Sequence, residues 1–368
     1  MRKLLLFILF VSFCSSIQAQ KYSKEVLDSM YTLAVTTKEK LAAPKFIKIM
    51  AVGDIMMGTN FPKDSYLPPE GKGPFDDIQE VLLKADILFG NLEGTLTDTG
   101  ENAKRCSDPS KCYSFRSPER YGDYLAAAGF DVMSIANNHI GDFGKIGIEN
   151  TSKTLEKHNI AYAGVFAKPF DTFERNGIKY GFCAFAPNKD CLKIHNLSNA
   201  KKIVTELKQK VDIVIVSFHG GAEGHEHTHV PRKTERFYGE DRGDVYRFAH
   251  TMIDAGADII LGHGPHVSRA FEVYKNKFIA YSLGNFCTYS RFNLNGIKGY
   301  APIAEIEIDL TGNFIKGKLH SAKQIDEVYP FIDDNKGALK EIKQLTAQDF
   351  PESKLIFDDD GSFIQQKK

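Results

Sequence analysis

The chain has 368 residues, 42% of them hydrophobic and 26% charged, a composition that supplies a sizeable buried core and excludes a largely disordered protein. Lys plus Arg and Asp plus Glu both number 47, and with no basic field to hold a polyanion, nucleic acid is excluded as the main partner.

Arg2 and Lys3, an apolar run over 4–13 broken by Ser12, and small residues up to Ala19 predict a secretory signal peptide over 1–19, cleaved after Ala19. The run is too short for the roughly 30 Å of a bilayer's hydrocarbon, so the mature protein is expected in the periplasm or at the cell surface. Phe13 stands where a lipidated Cys14 needs a small residue. Residues 20–44 read as a polar linker or helix. The body begins at Lys45, where short apolar runs alternate with amphipathic segments. Strands are expected at 46–52, 87–89, 132–136, 213–218 and 259–261, and helices at 76–84, 118–128, 145–158, 200–210 and 245–255. That alternation implies βαβ units with parallel pairing. Hairpins are expected around Asn176-Gly177, Lys275-Asn276-Lys277 and Thr311-Gly312-Asn313, so the sheets are mixed. The domain runs over 45–325, followed by a helix near 333–343 and a tail to residue 368.

Beyond the signal peptide lie Cys106, Cys112, Cys183, Cys191 and Cys287, with no C-x-x-C pair. In an oxidising compartment the short loop between Cys106 and Cys112 suits a disulfide, and Cys183 and Cys287 in apolar strands suit buried free thiols.

The chemistry is written where the apolar runs end. They are followed by Gly53-Asp54-Ile55-Met56, Gly90-Asn91-Leu92-Glu93, Asn137-Asn138-His139, His219-Gly220-Gly221, Gly262-His263-Gly264-Pro265-His266 and Gly284-Asn285-Phe286. Ligands of open α/β sheets sit outside the carboxyl ends of the strands, so these six loops are expected to converge. Carboxylate, amide and imidazole ligands without thiolate suit zinc, manganese or iron.

In this order and spacing the motifs resemble the CapA family of poly-γ-glutamate capsule synthesis proteins, related to calcineurin-like metallophosphoesterases, over about 46–289, with Phe115-Arg116-Ser117-Pro118 as a further shared element. The resemblance implies a four-layer α/β/β/α sandwich of the metallo-dependent phosphatase type. It also implies metal ligands at Asp54, Glu93, Asn138, His219, His263 and His266, and a catalytic His139. Two departures stand out. Met56 occupies a position where the enzymes carry a histidine, and an extra residue separates His263 from His266. One divalent ion is therefore expected, with the second site left short of a ligand. Such an ion would activate water toward a phosphoryl or acyl centre, with His139 serving the leaving group.

Arg116 and Arg269, as guanidinium clamps, and Asn285 are the expected substrate contacts. His225-Glu226-His227-Thr228-His229 reads as a solvated loop or a further metal binder. Two functions from different classes follow. One is a hydrolase acting on a phosphoester or an anionic polymer such as poly-γ-glutamate; the other is a non-catalytic scaffold that binds the polymer beside membrane-bound synthesis machinery.

Overall fold

The computed structural model describes residues 46–70, 72–106 and 112–366; the expected signal peptide and the lead-in over 20–44 lie outside them. Strand β1 (Ile47–Met56), helix α1 (Gln79–Leu82), β2 (Ile87–Leu92), the short pair β3 (Thr95–Leu96) and β4 (Arg116–Ser117), α2 (Tyr121–Ala128), β5 (Val132–Ser134), α3 (Gly144–Lys157) and β6 (Ala161–Ala163) come first. The middle of the chain supplies β7 (Phe170–Arg175), β8 (Ile178–Phe185), α4 (Leu197–Lys208), β9 (Ile213–His219), a ribbon of β10 (Glu235–Phe237) and β11 (Glu240–Gly243), α5 (Val245–Ala255), β12 (Ile259–His263), β13 (Phe271–Tyr274) and β14 (Lys277–Ala280). Last come β15 (Asn285–Thr288), β16 (Tyr300–Ile308), β17 (Phe314–Lys323), β18 (Phe331–Ile332), α6 (Gly337–Asp349), β19 (Leu355–Phe357) and β20 (Ser362–Gln365).

Two large mixed sheets result. The first has the order β19-β20-β17-β16-β1-β2-β5-β6, with β15 beside β1 and β18 beside β17; the second has the order β13-β14-β12-β9-β8-β7. The parallel stretches are β1-β2-β5-β6 and β8-β9-β12-β14, joined by helical crossovers except between β12 and β14, where β13 makes the connection. Side chains alternate across a strand, and in the second sheet this alternation sorts two cores. Phe182, Ile215 and Leu261 face a core shared with Ile49 and Phe89 of the first sheet. Cys183, Val216 and Ile260 face Val204 and Leu207 of α4 and Phe248 and Met252 of α5. Leu82, Leu125 and Leu155 bring α1, α2 and α3 into the first sheet's core. The architecture is a four-layer α/β/β/α sandwich. Helix α6 straddles both cores, Leu339 and Ile342 in one and Leu345 in the other, so 326–366 packs as part of the body rather than as a tail.

Local chemistry sets the boundaries. The hairpin at Asn176-Gly177 has φ of 54° and 77°, and that at Lys275-Asn276 has 49° and 62°, the left-handed pairs that match strand twist in two-residue turns. The helix expected over 76–84 shrinks to the four residues of α1, because Ile78 at its N-cap offers no side-chain acceptor. Helix α6 starts later than residue 333 because Asp333 is spent accepting from the Gly337 N–H at 2.8 Å. The strand expected to run to Leu283 stops at Ala280, and the chain then crosses to the other sheet as β15.

Candidate metal centre

Parallel register gathers the ligand-bearing strand ends. Asp54 pairs with Asn91 across β1 and β2, and His219 pairs with His263 across β9 and β12. The crossing into β15 sets Asn285 opposite Asp54. A Cβ at Gly53 would lie 2.1 Å from the Gly284 carbonyl oxygen, so only glycine admits this approach. His263 Nε2 donates to the Val52 carbonyl at 3.1 Å, which ties the two sheets together at the site.

Glu93 is the hub. Its Oε1 lies 3.6 Å from His219 Nε2, 3.5 Å from His266 Nε2 and 4.0 Å from His139 Nε2. These are too long for hydrogen bonds, yet two ligands each ~2.1 Å from a tetrahedral ion are about 3.4 Å apart. Among the described residues, Glu93, His219 and His266 form the group that could hold a metal. Both Glu93 oxygens, Asp54 Oδ2, Asn138 Oδ1, both His219 nitrogens and His263 Nδ1 are buried without a hydrogen-bond partner. Such atoms are costly unless something cationic or protic meets them. The residues present fit a divalent ion.

The protonation states of two of the rings fit as well. Burial holds His219 well below an ordinary imidazole, outweighing the opposing Asp54 carboxylate, and burial likewise lowers His263; neutral rings are the ligating form. Burial also works against a charged His266, but the carboxylates of Glu93 and Asp54 outweigh it and hold that ring up at about 10.

Neighbours orient the ligands. Asn91 Nδ2 donates to Asp54 Oδ1 at 2.8 Å, and Asn137 Oδ1 accepts the His139 N–H at 3.0 Å. Asn285 Nδ2 donates to the carbonyls of His266 and Lys298, so its Oδ1 must accept from His266 Nδ1 at 3.1 Å. Asp54 Oδ2 lies 3.0 Å from the same nitrogen but off the line of that N–H. Asn285 is thus a holder of His266 rather than the substrate contact the sequence suggests.

His139 stands beside the hub on a support that the sequence reading missed. Asp142 Oδ2 accepts its Nδ1–H at 2.7 Å and the Phe115 N–H at 2.8 Å. Lys104 Nζ reaches Asp142 Oδ1 at 2.9 Å and the Asn138 carbonyl at 3.2 Å. Phe115 lies tilted against His139 with centroids 4.2 Å apart, and Phe292 bridges from a stack on Phe115 at 5.2 Å to His266 at 5.7 Å. The local signal for Asp142 was its place three residues after His139; Lys104 and Phe292 carry none.

Both expected arginine clamps are otherwise engaged. Arg269 is fully buried, forks onto both Glu235 oxygens at 2.7 and 2.8 Å and donates to the carbonyls of His227 and Ala222, which leaves no fork for a substrate. Its replacement by alanine strands the Glu235 carboxylate. Urea unfolding should show a loss of about 3–5 kcal/mol with metal content unchanged in the protein that folds. Arg116 donates from Nε to Asn60 Oδ1 at 2.7 Å and lies over the rings of Phe61 and Phe143. Met56 is buried in β1. The histidines of 225–229 disperse, His227 edge-on to Phe237 and His229 paired with Asp349 at 2.7 Å, so the loop gathers no metal site. Cys106 and Cys112 form the expected disulfide, and Cys183, Cys191 and Cys287 are free and buried.

Comparison with known proteins places the chain in a family. Capsule biosynthesis protein CapA of Bacillus anthracis is 30% identical over 259 residues, covering 64% of this chain and 58% of that protein. PGA biosynthesis protein CapA of Bacillus subtilis (strain 168) is 31% identical over 273 residues, covering 69% and 66% respectively, so the match spans less than two thirds of either relative. Among solved structures, the 5′-nucleotidase precursor from Thermus thermophilus aligns with a TM-score of 0.41 and 13% identity, over 85% of this chain and 61% of that one. Residues 48–290 match the family described as bacterial capsule synthesis protein PGA_cap, a span that takes in every ligand-bearing strand end, and the chain belongs to that family.

Proposed function

We propose that this protein is exported and acts as a metal-dependent hydrolase at a phosphoryl or acyl centre, in the synthesis, export or processing of an anionic polymer such as poly-γ-glutamate. The observation that carries the reading is the set of buried, unpartnered carboxylate, amide and imidazole atoms around Glu93, placed next to a histidine whose orientation is fixed by a carboxylate. The relatives' names supply the context, capsule biosynthesis in one and PGA biosynthesis in the other. Glu93, His219 and His266 would hold the ion, with Asp54, Asn138 and His263 around it, and the thiolate-free set suits manganese, zinc or iron. When bound, such an ion supplies Lewis acidity and an activated water.

The chain's own residues supply the rest. Asp142 accepts the Nδ1–H of His139 and stabilises the imidazolium form, whose Nε2–H, turned to the hub, gives its proton to the leaving group. The stacked Phe115 and Phe292 shield one side of the two histidines from water. Met56 favours a second reading, a polymer-binding scaffold without turnover, because a thioether is a poor ligand for a hard or borderline ion.

The deciding experiment loads the purified chain with each of the three metals and assays phosphoester and γ-glutamyl hydrolysis. Turnover that disappears on chelation and in His139→Ala supports the hydrolase. Full metal occupancy with no turnover on either class puts the scaffold reading in front. Export is tested separately by mass spectrometry of the exported protein's N-terminus, which should begin at Gln20; a mature pool retaining Met1 would overturn it.

A further inference from the structure

Among the described residues, Arg242 is a buried arginine near the histidines with two side-chain donors that have no partner, where the half-buried Arg291 has one. It ends the β10–β11 ribbon, and its backbone docks on the loop that follows His219: the Gly221 N–H donates to the Arg242 carbonyl at 2.9 Å. That loop is itself pinned against the His263–His266 turn, with Gly220 N–H to the His263 carbonyl at 2.8 Å and Gly224 N–H to the Pro265 carbonyl at 2.9 Å. Glu223, between those two pins, meets Arg242 Nη1 at 2.8 Å, and Glu240 stands 4.0 Å from the same nitrogen. Both acidic neighbours therefore occupy one corner of the guanidinium. Its Nε and Nη2 are buried and have no hydrogen-bond partner.

Those two nitrogens form one edge of the planar group, the edge that takes two oxygens of a carboxylate or phosphate side by side. A buried guanidinium edge without acceptors is a costly arrangement and has no packing function. The ribbon stands beside the centre, because Arg242 is hydrogen-bonded to the residue two after His219. The contrast with Arg269, whose fork is filled by Glu235, and with Arg116, whose Nε is spent on Asn60, singles out the third arginine.

We infer that Arg242 is the oxyanion receptor beside the metal centre, taking a carboxylate or phosphate group of the substrate on its Nε–Nη2 edge while Glu223 holds the opposite corner. This rests on the polymer reading above for its ligand class, and it makes Arg242 a specificity-determining residue. Arg242→Lys keeps the charge for Glu223 but removes the planar fork.

The test measures binding of inorganic phosphate and of tri-γ-glutamate by calorimetry to the metal-loaded full chain, in wild type, Arg242→Lys and Arg242→Gln. Wild type should bind at least one probe, and both variants should bind it at least about tenfold more weakly with metal content unchanged; Arg242→Lys, which keeps a cation for Glu223, should also keep its melting temperature. Equal affinities in folded variants would overturn the assignment, as would a wild-type protein that binds neither probe, in which case the edge holds internal water only. A readout that needs no variant is the Arg242 Nε–H proton resonance, which should move downfield when the probe binds; a bound probe without that shift also overturns it. Binding that depends on Arg242 in a protein without turnover would remove the hydrolase reading and leave this one standing.

Discussion

Glu93→Gln should abolish high-affinity metal binding while leaving the fold intact. Glu93 is fully buried, both of its oxygens lack hydrogen bonds, and one of them is the common neighbour of His219 and His266. Replacing an outer-shell partner of a metal typically costs 10–100-fold in affinity, so loss of the central carboxylate should cost at least about 100-fold. At an ion concentration about 1,000 times the wild-type dissociation constant, binding stabilises the wild type by about 4.1 kcal/mol, and a 100-fold weaker variant by only about 1.4 kcal/mol. Melting curves with and without zinc or manganese, read beside metal analysis, would show it. Undiminished metal content in the variant would remove Glu93 from the centre.

The same site sets the pH dependence. With Glu93 and Asp54 holding His266 at about 10 against an ordinary value of 6.5, the metal-free ring is protonated at neutral pH and must lose that proton to ligate. Binding at pH 7 should release about one proton, and affinity should rise about tenfold per pH unit up to the raised value. In the metal-free protein the charged ring contributes stability in full below pH 6.5 and loses it as pH rises through about 10. Glu93→Gln removes a carboxylate that raises His266, so proton release should shrink with affinity.

The convergence of the strand-end residues was legible in the sequence because each closes an apolar run that must be a buried parallel strand, and parallel strands deliver their carboxyl ends to one edge. Asp54, Glu93, His219 and His263 are of this kind. Contacts between residues far apart in the chain were not legible. Arg269 looked like a clamp because a basic residue beside a histidine motif gives no sign that Glu235 fills its fork from across the fold. Arg242 carried no motif at all, since what distinguishes it is the absence of acceptors on one edge. Asn285 looked like the end of a strand, and only the crossing from one sheet to the other turned its amide onto His266. The helix near 333–343 was legible, but the strands around it were not, because β18, β19 and β20 are short and their pairing with β17 and with each other depends on partners already in place.

Asp142→Asn should lower turnover by about 10²–10⁴-fold, the range that a positioned acid or base contributes, without changing metal content. The carboxylate is buried, accepts the His139 Nδ1–H and the Phe115 N–H on one oxygen and pairs with the Lys104 ammonium at the other. An asparagine of the same shape has one oxygen and one NH2. Whichever way it turns, that NH2 faces either the lysine or the histidine–phenylalanine side, where donors already point. If it faces His139, the ring can satisfy it only by moving its proton from Nδ1 to Nε2, which fixes the proton on the nitrogen facing Glu93 and removes the carboxylate that would stabilise a charged ring. If it faces Lys104, His139 keeps its orientation but loses the negative charge behind it. Both outcomes act on the proton transfer rather than on substrate binding, so kcat and kcat/KM should fall together with KM little changed. Lys104→Met removes an ammonium that touches Asp142, the Asn138 carbonyl and His139 Nδ1, and should cost less because the Asp142–His139 contact stays in place. A fall in metal content parallel to the fall in turnover would show that Asp142 supports the ligands instead of His139, and an unchanged kcat would show that His139 takes no part in the chemistry.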